Sequence, residues 1–479
     1  MSKLLGRFQA LESDVSDTTA TDNIEVDSAG APLDISETAE ETILDAAEVE
    51  APVIEEAEGE VDELSQAHEA LENWLDYVGE ARQEGGLTKR EAKGVFIGIG
   101  NTLAPLGVSC ESMIGYGVSS LEDFGGSLAQ SNTISVENAI VNALQSVWQA
   151  IKNAISKLVT YVRDWYLKNW DGASRMKRKA EAIRDKANNT NGTAEKKKIP
   201  IPGMAQLHIG KAVPTSAQII SSLETARNVA SNNLSARQAN DYKDGLEKLV
   251  TNVENIKISH GTVLDQGHGT GISKPLEKLK PVLTGVDQTP DKAAERFSGL
   301  GDSSQVKCTA ELCGGRSIMG YAPNVGPNKS ATGDDEASEV IKKASQAFLD
   351  VRDYADKKIE VDSGKEGDVL KTSEVGNIAT AVIKAMDVII EFKAAYNNHE
   401  KGTKEFITKM DKVVKGAKAE DDSADEKARV RVIRTAANGS SQLIRAQNRT
   451  ITSLTGYLLG TSRAALNYCN SSLNQYKAA

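Results

Sequence analysis

Cysteine is scarce, with four in 479 residues, too few for the framework that staples small secreted domains. Cys308 and Cys313 stand close together but have no histidine near them. A zinc site would need two further ligands at workable spacing. Aromatic residues make up only 5% of the chain, so a core must be built chiefly of Ala, Val, Ile and Leu. No window approaches the ~20 apolar residues of a membrane span. The opening MSKLLGRFQALESDVSD has no apolar stretch of the kind a secretory signal requires, so a reduced, intracellular folding environment is expected. Also lacking are paired carboxylates, a Ser/His/Asp or Cys/His arrangement, and any metal-ligand spacing. Gly98-Ile99-Gly100 follows no predicted strand and precedes no Lys-Ser/Thr, which excludes a nucleotide loop. His268, in Gly267-His268-Gly269-Thr270-Gly271, reads as an exposed loop histidine without a partner acid. These absences argue against an enzyme, and against a cofactor, a metal site or a small-molecule substrate.

What the chain does have is charge, unevenly placed. The formal charge is −12. Residues 1–56 hold 15 Asp/Glu against Lys3 and Arg7, and the remainder carries 54 Lys/Arg against 53 Asp/Glu. The acidity therefore belongs to the start of the chain and the body is close to neutral. Residues 1–65 are rich in Asp, Glu, Ala, Thr and Ser, a composition that cannot offset the entropy of ordering, so disorder is expected there. A solvating acidic tail is the plain explanation; a removable pro-segment is the sharper one. Ile54-Glu55-Glu56-Ala57 places an aliphatic residue two positions before a glutamate that a small residue follows. Ala67-His68-Glu69-Ala70 is a small-x-Glu-small site. Cleavage at Glu56/Ala57, or alternatively at Glu69/Ala70, would remove the acidic segment.

The organising stretch runs from Ile134 to Lys198. Ile140, Leu144, Val147, Ile151, Ile155, Leu158, Val162 and Trp165 recur at steps of three and four, a helical period. Trp148, Tyr161, Tyr166 and Trp170 widen the stripe. Such a stripe ordinarily packs against other helices; the alternative is an interfacial helix that lies on a membrane without crossing it. The end of the stretch is basic: Arg175, Lys177, Arg178, Lys179, Arg184, Lys186, Lys196, Lys197 and Lys198, candidates for contact with nucleic acid or an anionic surface.

Before it, Leu71, Trp74, Leu75 and Val78 form a short amphipathic helix that Gly85-Gly86 stops. Thr88 with Glu91 predicts a capping box for a second helix ending near Pro105. The glycines along this stretch, Gly94, Gly98 and Gly100 among them, point to close helix packing or bends. The order Glu72-Asn73-Trp74-Leu75, Glu84-Gly85-Gly86-Leu87, Ser120-Leu121-Glu122-Asp123-Phe124-Gly125, then the Trp-bearing helix and Met176-Lys177-Arg178-Lys179-Ala180-Glu181, resembles the internal head proteins of large myovirus-type tailed phages. The resemblance covers roughly residues 66–190. It implies a protein made in the host cytoplasm and co-assembled with capsid and core proteins into the prohead. A prohead protease would trim it after Glu56 or Glu69, and it would stay in the virion interior with packaged DNA for ejection into the host. A membrane-active effector and a scaffold that leaves the particle are the alternatives, and a membrane surface is a second candidate partner.

Ile199-Pro200-Ile201-Pro202-Gly203 reads as a linker. Beyond it, helical stripes run through Ile219–Val229 and Leu246–Ile256, and a Gly/Pro-rich insertion occupies about 259–333. Ile341, Ala344, Phe348, Val351 and Tyr354 form one further stripe, Ile378–Tyr396 another, Phe406–Val414 a third and Val430–Leu466 the last. Arg429, Arg431, Arg434, Arg445 and Arg449 give the last helices a basic side, either a solvated face or a phosphate-contacting one. The expected fold is mostly α: a disordered acidic N-terminal segment (1–65), a Gly-containing helical region with the long amphipathic helix (66–198), a linker (199–214), and a C-terminal α-helical bundle (215–479).

Overall fold

The computed structural model describes residues 37–106, 128–259, 262–263, 271–325, 334–355, 361, 365–417 and 423–476. Cys110, the Ser120–Gly125 motif, His260 and His268 lie outside the described residues.

Helix α1 (Glu37–Gln83) is a single element of 47 residues. From Ile54 onward its apolar residues fall at helical spacing, and Ile54, Ala57, Val61, Leu64, Leu71 and Val78 are buried. Residues 52–65 are therefore helical and packed where composition predicts disorder, because these few aliphatics share one face of an otherwise acidic helix. Gly85 and Gly86, at φ +112° and +99°, turn the chain. A Cβ on Gly86 would stand 2.7 Å from the Ala129 backbone, so this turn admits no side chain. Helix α2 (Lys89–Leu103) opens with the expected capping box: Glu91 N donates to Thr88 Oγ1, and Glu91 Oε2 accepts from Thr88 N. Gly98 lets α2 lie flush on the Trp74 ring, 2.4 Å from where a Cβ would sit.

Helix α3 (Leu128–Asn189) is continuous over 62 residues. It is followed by α4 (Ser216–Asn233), α5 (Ala236–Glu254), α6 (Asp334–Ser345), α7 (Thr372–Gly416) and α8 (Ala424–Leu473). The two stripes Ile378–Tyr396 and Phe406–Val414 thus belong to one helix. α7 is the centre of the bundle, packing on α3, α5, α8 and α4. Tyr166 donates to the Ile389 carbonyl at 2.6 Å and Trp170 to that of Ile390 at 3.2 Å, while Trp148 reaches Asp411. These pairings run in opposite directions along the two helices, so α3 and α7 are antiparallel. One buried cluster extends from Ile54 to Leu473.

Short strands fill the connections. The stretch read as a linker forms β1 (Lys198–Pro200), which pairs antiparallel with β7 (Glu366–Asp368) and buries Ile199; Ile201 just beyond is buried as well. Between them lie the small pair β2 (Ile258–Ser259) and β3 (Thr262–Val263), and an antiparallel sheet of β4 (Lys307–Cys308), β5 (Arg316–Tyr321) and β6 (Phe348–Asp353). The stripe predicted from Ile341 to Tyr354 is therefore wrong in its second half. α6 ends at Ser345, and Phe348 and Val351 belong to a strand in register with Tyr321 and Ile318. Apolar residues three apart satisfy a helical template over so short a run, and the sheet supplies pairing the template ignores.

Candidate functional site

The amphipathic stripe is consumed by the fold. Trp148, Ile151, Ile155, Leu158, Val162 and Trp165 are all at most 5% exposed. Trp148 Nε1 donates to Asp411 Oδ1 at 3.2 Å, Gln149 donates to the same oxygen at 2.8 Å, and Lys152 and Lys415 hold Oδ2. Partial burial opposes ionisation of Asp411, but these donors outweigh it and hold its carboxyl down at about 2. An interfacial role would require this helix to leave its seat against α7.

The basic tail of α3 is less concentrated than its sequence suggests. Lys177 pairs with Asp387 across the bundle at 2.7 Å, Arg175 sits 4.0 Å from Asp171, and Arg184 contacts Asp185. Lys186 donates to Asn474, and Lys179 is half-buried and engaged. Arg178 is exposed, as are Lys196, Lys197 and Lys198, which lie past the helix at the start of β1. Of the nine, Arg175, Lys177 and Arg184 thus neighbour acidic groups, and among the rest the exposed positions are Lys186, Arg178 and the short run Lys196–Lys198.

Both candidate processing bonds lie inside α1. Glu56 is exposed but Ala57 is buried, whereas Glu69 is exposed and Ala70 half-buried. Glu69 forms an exposed ion pair with Lys342 at 3.3 Å. Scission at either site needs a local loss of helix, because a protease reads an extended backbone.

Arg429 pairs with Glu426 on its own helix, whereas Arg431, Arg434, Arg445 and Arg449 of α8 are turned toward α1. Arg449 Nη1 stands 2.8 Å from Glu58 and 3.7 Å from Glu55; Arg445 is 3.1 Å from Asp62; Arg434 is 3.7 Å from Glu72; and Arg431 pairs with Asp76. Arg449 also meets Asp350 of β6 at 3.2 Å. The order is reversed between the two helices, so α1 lies antiparallel along α8. The half-exposed pairs of this row, Arg445–Asp62 and Arg431–Asp76, contribute about 0–1 kcal/mol each. Burial of Ile54, Val61 and Leu64 contributes about 1.5–3 kcal/mol apiece. The aliphatics hold this part of α1 in place and the charges set its register.

The seat is loosely made. A groove of ≈ 870 Å³ runs between α1, α6 and α8, bordered by Asp62, Glu72, Lys342, Arg431, Arg445 and Arg449. A second, of ≈ 900 Å³, passes from Ile54 and Glu55 beneath Arg449 to Tyr457. Glu72 is buried with no hydrogen bond to either oxygen, and Arg445 Nε is likewise unengaged. Burial, only partly offset by Arg434, raises the Glu72 carboxyl to about 7. Burial also raises Glu58 despite Arg449, and pushes the His68 imidazole down to about 3, with Arg434 adding to the effect. Sequence reasoning did not connect the two rows. The signal was in the spacing: Glu58, Asp62, Glu72 and Asp76 recur at intervals close to those of Arg449, Arg445, Arg434 and Arg431 read backwards.

Cys308, Cys313 and Cys469 are buried free thiols, and burial raises Cys313 to about 11. Among the described residues no group of three or more His, Cys, Asp or Glu converges as a metal site would, and no helix is long and apolar enough to cross a membrane. No curated protein and no solved structure matches the chain. A family model does match, over residues 38–471, and takes in the acidic helix, the long α3 and the arginine-bearing α8 alike. By that match the chain belongs to the phiKZ-like phage internal head proteins.

Proposed function

We propose that this internal head protein is assembled with its acidic N-terminal segment in place, trimmed after a glutamate of α1, and retained beside packaged DNA until ejection. The observation that carries the reading is the way the first part of α1 is held, by three aliphatic anchors and a row of ion pairs beside open grooves. Such a seat is strong enough to order the segment and weak enough to release it once cut. The Glu69–Ala70 bond is the better candidate, since Ala57 is buried and Ala70 is not. Removing residues 1–69 takes away 20 Asp/Glu and two Lys/Arg, leaving 54 basic and 48 acidic residues. A prohead protease and neighbouring core proteins are the partners this sequence of events requires. The exposed Lys196–Lys198 cluster with Arg178 supplies nonspecific phosphate contact.

Mass spectrometry of purified DNA-filled virions tests the reading. A peptide starting at Ala70, or at Ala57, with no peptides upstream, is the expected result. Intact chains in the particle would refute trimming, and absence of the chain from particles would refute retention with DNA.

A further inference from the structure

We infer that the face of α8 carrying Arg445 and Arg449 is a second nucleic-acid-binding surface, held closed by the acidic first part of α1 and opened by removal of residues 1–69. This deepens the reading above and rests on the chain being trimmed within reach of DNA. Its geometry, however, is independent of the α3 tail.

Arg445 and Arg449 are four residues apart on one helix, so their guanidinium groups share a face at ~6 Å axial separation. That is close to twice the ~3.4 Å axial spacing of phosphates along one DNA strand. Guanidinium groups bind phosphate bidentately, as they bind carboxylate. The carboxylates of Glu55, Glu58 and Asp62 now occupy the positions that phosphates would take, at 2.8–3.7 Å. The groove of ≈ 870 Å³ borders both arginines and that of ≈ 900 Å³ borders Arg449, and Arg445 Nε has no acceptor although buried. The site is thus a polyanion cradle filled by part of its own chain.

The two candidate cuts differ sharply in consequence. Cleavage after Glu56 takes away Glu55 alone and leaves Glu58 and Asp62 on the arginines. Cleavage after Glu69 takes all three. Arg445 then loses Asp62, and Arg449 keeps only Asp350 at 3.2 Å. Residues beyond the cut stay seated, because Leu71 and Val78 are buried and Trp74 packs on Gly98. Glu72 and Asp76 therefore continue to cap Arg434 and Arg431. The opened surface is two arginines, not four.

The test uses the full chain with a specific protease site replacing residues 66–69, folded whole, then cut and freed of its N-terminal fragment. Circular dichroism checks that the body stays folded. Binding to a 30-base-pair duplex is followed by fluorescence anisotropy from 50 to 200 mM salt. Two added phosphate contacts steepen the slope of log K against log salt by about 1.8, a roughly tenfold greater loss over that range. The cut chain should show this increment over the uncut one. Arg445→Gln/Arg449→Gln should abolish it, whereas Lys196→Gln/Lys197→Gln/Lys198→Gln should lower cut and uncut binding alike. Equal slopes before and after cutting, or an increment that survives Arg445→Gln/Arg449→Gln, would overturn the inference. So would a gain in binding to phosphatidylserine vesicles without a gain on DNA. If the cut body unfolds, Glu55→Gln/Glu58→Gln/Asp62→Asn in the uncut chain takes its place. It should bind DNA several-fold more tightly than the parent, and unchanged binding overturns the inference. None of these outcomes depends on where virion chains begin, so failure here is distinct from failure of the trimming proposal.

Discussion

His68 and Glu72 sit one turn apart on α1, both buried, and their protonation preferences oppose each other. Glu72 ionises near 7 in the fold against 4.5 in a free chain. The folded state therefore holds a proton that the unfolded state has released between those values. Its contribution to stability is complete below about pH 4.5 and is lost as pH rises through about 7, at ~1.4 kcal/mol per pH unit. His68 ionises near 3 in the fold against 6.5 when free. Here the unfolded state holds the extra proton, so stability is complete above about pH 6.5 and falls as pH drops toward 3, with the same ~1.4 kcal/mol slope. Between pH 5 and 6.3 these two slopes cancel, and the slope left to the wild-type chain comes from other groups, chiefly His399, whose buried imidazole is likewise held down at about 3. Glu72→Gln removes one arm: over the unit from pH 6 to 5 this variant should lose about 1.4 kcal/mol relative to wild type. His68→Gln removes the other and should gain about as much over the same interval. Urea unfolding followed by tryptophan fluorescence at pH 5.0, 5.5 and 6.0 measures both. Parallel pH profiles for wild type and the two variants would show that neither group is desolvated as described, and would undo the account of α1 as a buried, charge-bearing helix at this point.

Three further outcomes follow from the packing. Trp148→Ala empties a fully buried site between α3 and α7 and takes a donor from Asp411. It should cost about 3–5 kcal/mol by urea denaturation, and a change below 1 kcal/mol would mean that the stripe is not core. Gly98→Val would drive a side chain into the Trp74 ring; a loss of about 1–3 kcal/mol is expected, and a neutral melt would separate α2 from α1. Asp411→Asn should weaken the fold at pH 7. It should also blunt the loss of stability that wild type suffers as pH falls below 4 toward 2, since the depressed carboxylate stabilises only while ionised. Thermal melts across pH 2.5–7 would show an unchanged acid limb if those donors do not matter.

The helical character of the chain was legible because its long stripes are regular. Ile140 to Trp165 keeps step for many turns, and the fold buries each of these residues. The Thr88–Glu91 box was legible for a local reason, since both partners lie within one turn. The first part of α1 was not, because an acidic composition hides a sparse stripe: Ile54, Ala57, Val61 and Leu64 are spread thinly among the charges. The pairing of α1 with α8 was hidden for another reason. Arg431–Asp76 and Arg449–Glu58 join residues 355 and 391 positions apart, and neither row is distinctive until it is set against the other. β6 was misread because six residues are too few for the two periods to be told apart.

Those separations also fix when the acidic helix can find its place. Arg449 leaves the ribosome only after some 391 further residues have followed Glu58, roughly 20–80 s at ~5–20 residues per second. Throughout that time Ile54, Val61 and Leu64 have no arginine-bearing helix to lie beside, and the surrounding carboxylates are what keep the waiting segment in water. When α8 does emerge, its counter-charges are already attached to the same molecule. Encounter is then intramolecular, at a local concentration that any free anion must compete against. The chain is thus born with an anion for these arginines already tethered in cis.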